Sequence, residues 1–315
     1  CGGGDNGSYR YRYFWATLTT KSKRRQYNGA LLRSEHTALN MDALPNHISF
    51  VGTGNMATAI MGGLLAAGFN ANRISGGDPS DEARATWAEK GVSALSAQAG
   101  DVTGNADLVI FAVKPQVMEV VTQSLRGKIK PGAVVMSIAA GVTVQAVRDM
   151  LGEPDLNVIR CMPNTPALIG LGASGLYASA SVSDRQREQV GEVMGVVGNV
   201  VWLEQEAHID AVTAVSGSGP AYFFAFMEAM IKAGEELGLD HRVATELTVQ
   251  TALGAASLVK HSPLPIETLR RNVTSPGGTT ARALDSFERV GLSALVGQAM
   301  QSCFDRAVEM SEEYK

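Results

Sequence analysis

From His47 to Trp202, short apolar runs alternate with stretches whose apolar residues recur at helical spacing. Ile48–Val51, Arg73–Gly77, Leu108–Val113, Val134–Ala139 and Val158–Met162 read as strands, stopped by glycine, proline or polar residues. Strands that alternate with helices in this way predict a parallel, doubly wound sheet. Beyond Trp202 the rhythm changes. The stretch "HIDAVTAVSGSGPAYFFAFMEAMIKAGEELGLDHRVATELTVQTALGAASLVK" keeps helical spacing throughout, with Gly238 as a helix stop, and Gly291–Lys315 reads as one more amphipathic helix. These later helices are unusually apolar for surface elements, so they predict a subunit interface. The expected organisation is an α/β sheet domain over 47–204 followed by an all-helical domain over 205–315.

In doubly wound sheets ligands gather at the carboxyl ends of the strands, so the residues that end each strand carry the candidate chemistry. After the first strand comes Gly52-Thr53-Gly54-Asn55-Met56-Ala57, a G-x-G-x-x-A turn leading directly into a helix. Gly52 permits the tight turn, Gly54 lets backbone approach a pyrophosphate, and Ala57 allows helix and strand to pack closely. The helix N-terminus then faces the phosphates with free N–H groups and a positive dipole end. This is a Rossmann-type dinucleotide site. Asp78 follows Ala57 by 21 residues, the distance at which an acidic residue meets the ribose of NAD. Ser75, Ser80 and Arg84 offer the alternative of a 2′-phosphate cradle, with Asp78 capping the next helix, which leaves NADH and NADPH both open. The other strand ends are Lys114-Pro115-Gln116, Ala140-Gly141 and Pro163-Asn164-Thr165-Pro166.

Composition narrows the function classes. Of the 315 residues 45% are hydrophobic, ordinary for a globular chain, and no window approaches the uninterrupted apolar length of a membrane span. Residues 1–40 carry 7 basic and 2 acidic residues, leaving 20 basic against 29 acidic in 41–315. The folded part is therefore acidic and shows no nucleic-acid surface. Residues 1–40, with the run Lys21–Arg25 and no periodicity, read as a foreign or disordered extension outside the fold, Met41 being a natural start. Cys1, Cys161 and Cys303 are far apart, without metal-ligand spacing, and point to a reduced, cytoplasmic setting. The 5 histidines do not cluster, so neither a metal site nor a histidine relay is expected.

The ordered motifs "GTGNMA", "VKPQ", "SIAAG", "RCMPNTPA", "DAVTAVSGSGPAYFF" and "VTSPGGTT" resemble those of the pyrroline-5-carboxylate reductases over 47–312. The resemblance implies reduction of the C=N bond of 1-pyrroline-5-carboxylate to L-proline with NAD(P)H, NADPH being favoured. It implies that Ser275-Pro276-Gly277-Gly278-Thr279-Thr280 hold the substrate carboxylate, with Thr280 beside the imine nitrogen. It also implies a substrate role for Glu206 and cofactor contacts from Asn272 and from Ala112-Val113-Lys114-Pro115. A homodimer, or a larger homo-oligomer built on dimers, is the implied assembly. A hydroxyacid dehydrogenase of the 6-phosphogluconate type would need a lysine with an asparagine one turn later. Here Lys232 is followed by Ala233-Gly234-Glu235-Glu236. A non-catalytic nucleotide sensor is the remaining alternative, against which the intact substrate loop argues.

Overall fold

The computed structural model describes residues 43–314, so the extension expected over 1–40 lies outside the described residues. Residues 42–315 form one compact unit. Its centre is an eight-stranded sheet in the order β3-β2-β1-β4-β5-β6-β7-β8. The strands are β1 (Ile48–Val51), β2 (Ile74–Gly77), β3 (Ala94–Ser96), β4 (Leu108–Phe111), β5 (Val134–Ser137), β6 (Asn157–Met162), β7 (Gly172–Ala178) and β8 (Gly198–Trp202). β1 pairs in parallel with both β2 and β4, so the chain reverses its direction of travel across the sheet at β1. That reversal opens the crevice in which doubly wound sheets take their ligands.

The central strands are apolar on both faces because both faces are covered. Phe50, Ile110, Met136 and Ile159 lie in one register row across β1, β4, β5 and β6. Phe50 meets the edge of Trp87 there, with ring centroids 5.0 Å apart. On the opposite face Val51, Val109, Phe111, Val135 and Val158 pack with Met118, Leu125, Val147 and Leu151 from the intervening helices. Those helices are α1 (Asn55–Ala66), α2 (Asp81–Ala88), α3 (Met118–Gln123), α4 (Val144–Leu151) and α5 (Asp184–Gly195). Local chemistry starts several of them: Ser80 caps α2, Thr143 caps α4, and Ser183 with Gln186 forms a capping box on α5.

One strand pair departs from the parallel, doubly wound pattern. β7 runs antiparallel to β6, and β8 then pairs in parallel with β7 after the α5 crossover. β4 and β5 also stop earlier than expected, at Phe111 and Ser137, leaving 112–117 and 138–143 as loops on the ligand edge.

After β8 the described chain is helical: α6 (His208–Val212), a π turn (Thr213–Gly217), α7 (Gly219–Glu236), α8 (His241–His261), α9 (Ile266–Asn272), α10 (Thr279–Val290) and α11 (Leu292–Glu313). This region has almost no interior of its own. α9 and α10 bury no residue, α7 buries Gly219, and α8 buries Ala244 and Thr248. Phe223, Phe224, Leu247, Leu253, Ile266 and Leu295 are among its exposed large apolar residues.

Candidate active site

The G-x-G-x-x-A turn stands at the crevice. Gly52 has φ +90°, and its N–H donates to the Gly77 carbonyl at 2.8 Å. A Cβ at Gly52 would lie 2.7 Å from Val113 Cγ1 and 3.0 Å from the Ala112 carbonyl oxygen, so the turn after β1 and the loop after β4 are pressed together. Gly54 differs: a Cβ there would meet nothing within 4 Å. It precedes α1, whose N-terminus receives no side-chain cap, so the first N–H groups face open space. Thr53 Oγ1 is buried without a hydrogen-bond partner in the protein. Open room over an uncapped helix start, with an orphaned hydroxyl beside it, fits a bound dinucleotide. Ala57 is fully buried beneath, and Asn55 and Met56 flank the helix start.

Asp78 braces this turn. Its Oδ2 accepts from Thr53 N at 2.8 Å and its Oδ1 from Ser80 N at 2.9 Å. Each carboxylate oxygen retains acceptor capacity, so the residue can still receive a ribose hydroxyl. Arg84 donates to the Asp78 carbonyl and pairs with Asp81, which places a cation at the same corner. Ser75 requires correction as a cofactor ligand. It is 1% exposed inside β2, with its hydroxyl engaged by His47 Nε2 at 2.9 Å and the Val102 carbonyl at 3.0 Å. On the β4 side, Ala112 N donates to the Val51 carbonyl, and exposed Lys114 precedes a short 3-10 turn starting at Pro115.

The turn at 275–280 joins α9 to α10. Gly277 has φ +72°, and Gly278 N donates to the Ser275 carbonyl at 3.0 Å. Gly278 is the N-cap of α10 and no side chain caps the helix. The N–H groups of Thr279, Thr280 and Ala281 therefore have no partner within the helix, and the dipole adds positive potential. Asn272 ends α9 and is exposed, as are Ser275 and Thr279. No hydrogen bond among the described residues joins 272–280 to the glycine-rich turn.

Glu206, expected at the substrate, also has a structural role. Its Oε1 accepts from Arg160 Nη1 at 3.0 Å and from Val144 N, at the start of α4, at 2.8 Å. Oε1 thereby ties the junction after β8 to the sheet, while the side chain keeps 28% exposure and lines a cavity with Thr143 and Asp210. Two residues on this edge were missed from sequence. Arg160 is 3% exposed, and the signal was a lone charge inside the apolar run Val158–Met162. Asn164, read as part of a strand stop, donates to the Ser216 carbonyl and accepts from Ala173 N, both at 2.9 Å. Cys161 is fully enclosed; burial pushes its thiol above the ordinary value and outweighs a hydrogen bond from Ser174, so it is no nucleophile.

A family described as pyrroline-5-carboxylate reductase dimerisation matches residues 206–310, and one described as NADP oxidoreductase, coenzyme F420-dependent, matches 47–141. A pyrroline-5-carboxylate reductase of Pseudomonas aeruginosa is 48% identical over 266 residues, spanning 84% of this chain and 97% of the relative. The chain belongs to the pyrroline-5-carboxylate reductase family. Among solved structures, the reductase from Coxiella burnetii superposes with a TM-score of 0.81 at 38% identity, covering 84% of this chain and 98% of that one. The reductase from Plasmodium falciparum, solved with NADP bound, gives 0.75 at 26% identity, with the same coverage of 84% and 98%. Among the described residues no helix is long and apolar enough to cross a membrane, and no group of acidic, histidine or cysteine side chains could hold a metal.

Proposed function

We propose that this protein reduces 1-pyrroline-5-carboxylate to L-proline, the last step of proline synthesis, as a homodimer or an assembly of dimers. The observation that carries the reading is the turn 275–280, an uncapped helix start that offers N–H groups and hydroxyls to a small carboxylate. Gly52–Ala57 receive the pyrophosphate, Asp78 the adenosine ribose, and Ala112–Pro115 with Asn272 the remainder of the cofactor. When bound, the reduced nicotinamide supplies the hydride.

The substrate is a cyclic imine, and its protonated form already accepts hydride at C5, with the proton remaining on nitrogen in the product. A strong general acid is therefore not required, and positioning supplies most of the rate. Thr280 holds the imine nitrogen, while Ser275, Gly277, Gly278 and Thr279 fix the carboxylate. The test is direct. Purified protein with the imine and NADPH should lose cofactor absorbance and form proline in equal amounts. Cofactor binding without turnover would instead make it a nucleotide sensor.

The reductant we propose is NADPH. The NADP-bound Plasmodium relative supports this, as do Ser80 and Arg84 at the corner where a 2′-phosphate would meet the start of α2. kcat/KM measured with both cofactors should favour NADPH, and equal or higher values with NADH would reverse the assignment. The exposed apolar residues of α7–α11 support self-association as the cover for this surface. Cys161 and Cys303 are free thiols, which supports a cytoplasmic setting.

A further inference from the structure

Arg160 emerges from β6 between Ser137 of β5 and Tyr177 of β7, on the face that carries Val135 and Val158. A guanidinium 3% exposed in a sheet must be held by partners, and here two carboxylates, each bonded in turn to another helix, hold it. Nη1 reaches Glu206 at 3.0 Å, and the same Glu206 oxygen receives Val144 N of α4 at 2.8 Å. Nη2 approaches Asp210 Oδ1 of α6 at 3.7 Å, and that oxygen also accepts from Ser311 Oγ of α11 at 3.3 Å. The cluster thus ties the sheet to the last helix of the chain. It lines a cavity of about 230 Å³ together with Thr143 and Glu312.

Next to Ser311, Met310 lies against Gly141. With φ +79°, a Cβ on Gly141 would stand 2.9 Å from Met310 Cβ and 3.0 Å from its carbonyl carbon. Gly141 belongs to the loop 138–143, which leaves β5 on the ligand edge, beside the loop after β4. The second half of that loop is braced by Met310 at Gly141, and its exit is fixed where Glu206 holds Val144 N. Neither brace involves the glycine-rich turn or the substrate turn.

We propose that Arg160, through Glu206, Asp210 and Ser311, is a positioning residue that seats helix α11 on the loop 138–143 and so sets the shape of the cofactor edge. Its kinetic consequence rests on the reductase reading; its structural consequence does not. The test uses full-length Ser311→Ala, Asp210→Asn, Arg160→Lys and Arg160→Met. Amide hydrogen exchange of 138–143, KM for NADPH, KM for the imine, kcat and the melting temperature are measured for each.

Ser311→Ala removes only the hydrogen bond from α11 to Asp210. It should speed exchange of 138–143 severalfold while the melting temperature changes little. Arg160→Met should raise KM for NADPH about tenfold, more than KM for the imine, as expected when a ligand-edge loop shifts by a fraction of an ångström. Arg160→Lys should recover part of that loss, since it restores the charge but not the planar fork. Unchanged exchange of 138–143 in both Ser311→Ala and Asp210→Asn would overturn the proposal, including the case in which Arg160→Met does not fold. So would an Arg160→Met enzyme whose KM values match wild type. If wild-type protein fails to oxidise NADPH, the reductase reading falls while the exchange data still decide this one.

Discussion

The two glycines of the cofactor turn should respond to substitution in opposite ways, and the structure provides magnitudes for both. At Gly52 an alanine must adopt φ +90°, which costs about 1–2 kcal/mol for a residue with a Cβ. The new methyl would sit 2.7 Å from Val113 Cγ1 and 3.0 Å from the Ala112 carbonyl oxygen. The valine can turn away, but the carbonyl belongs to the backbone. Overpacking of this kind adds about 1–3 kcal/mol. Gly52→Ala should therefore lose about 2–5 kcal/mol, which at about 2–4 °C per kcal/mol is a fall of roughly 4–20 °C in melting temperature. Cofactor affinity should fall with it, because the Ala112–Val113 loop is displaced. Gly54 has φ −68° and open space around its Cβ position, so Gly54→Leu should melt like wild type. Its side chain would project into the room above α1 and abolish NADPH binding. Differential scanning fluorimetry with and without NADPH, plus titration by NADPH fluorescence, reads both effects. A Gly52→Ala protein with wild-type melting and affinity, or a Gly54→Leu protein that still binds NADPH tightly, would refute the assignment of the turn.

Thr280→Ala should raise KM for the imine and lower kcat, together about tenfold in kcat/KM, while the NADPH dissociation constant stays constant; steady-state kinetics with identical constants would remove Thr280 from the site. Leu253 is 46% exposed on α8, and Leu253→Glu should shift the protein towards monomer in sedimentation velocity and take activity with it. Burial holds the His47 imidazole below its ordinary 6.5, with Asp107 pulling the other way and Arg73 adding to the depression. The unfolded chain then takes up this proton at higher pH than the folded one, so the contribution to stability is complete above about 6.5 and is lost as pH falls through the folded value. Denaturant unfolding should show wild type losing more stability than His47→Gln between neutral and mildly acidic pH, and parallel curves would sink that account.

The parts of the fold that could be read without coordinates are those whose residues have one physical option. β4 and β5 are short apolar runs, β1 is broken only by the small Ser49, and only a strand covered on both faces uses such a run so briefly. β7 reads Gly-Ala-Ser-Gly-Leu-Tyr-Ala, with no period to detect, and its small residues are explained by close approaches such as Gly175 against Val212. The antiparallel turn of the sheet was hidden with it. Ser75 had suitable spacing for a ligand, but a strand side chain goes to whichever face the register dictates, and here that is the interior. The glycine-rich turn and the turn at 275–280 were legible because their backbone conformations demand particular residues. The bonds of Arg160, Glu206 and Asp210 were not, because they join positions separated by dozens of residues and depend on tertiary packing alone.

The π turn at Thr213–Gly217 has a consequence of its own. Ser218 N donates to the Thr213 carbonyl five residues back at 2.9 Å, so this turn contains one residue more than an α-helix would. Asn164 holds the Ser216 carbonyl from one side, and Gly217 lies so near Met162 that a Cβ would come within 2.5 Å of its Cε. Each residue of an α-helix advances its direction by about 100°. Deleting the exposed Val215 would tighten the turn and swing Phe223, Phe226 and everything after them through about that angle relative to the sheet. The surplus residue therefore acts as an angular offset between two halves of a subunit. A single codon lost or gained there could redirect which surface the protein offers to another copy of itself without altering one residue of either half's interior.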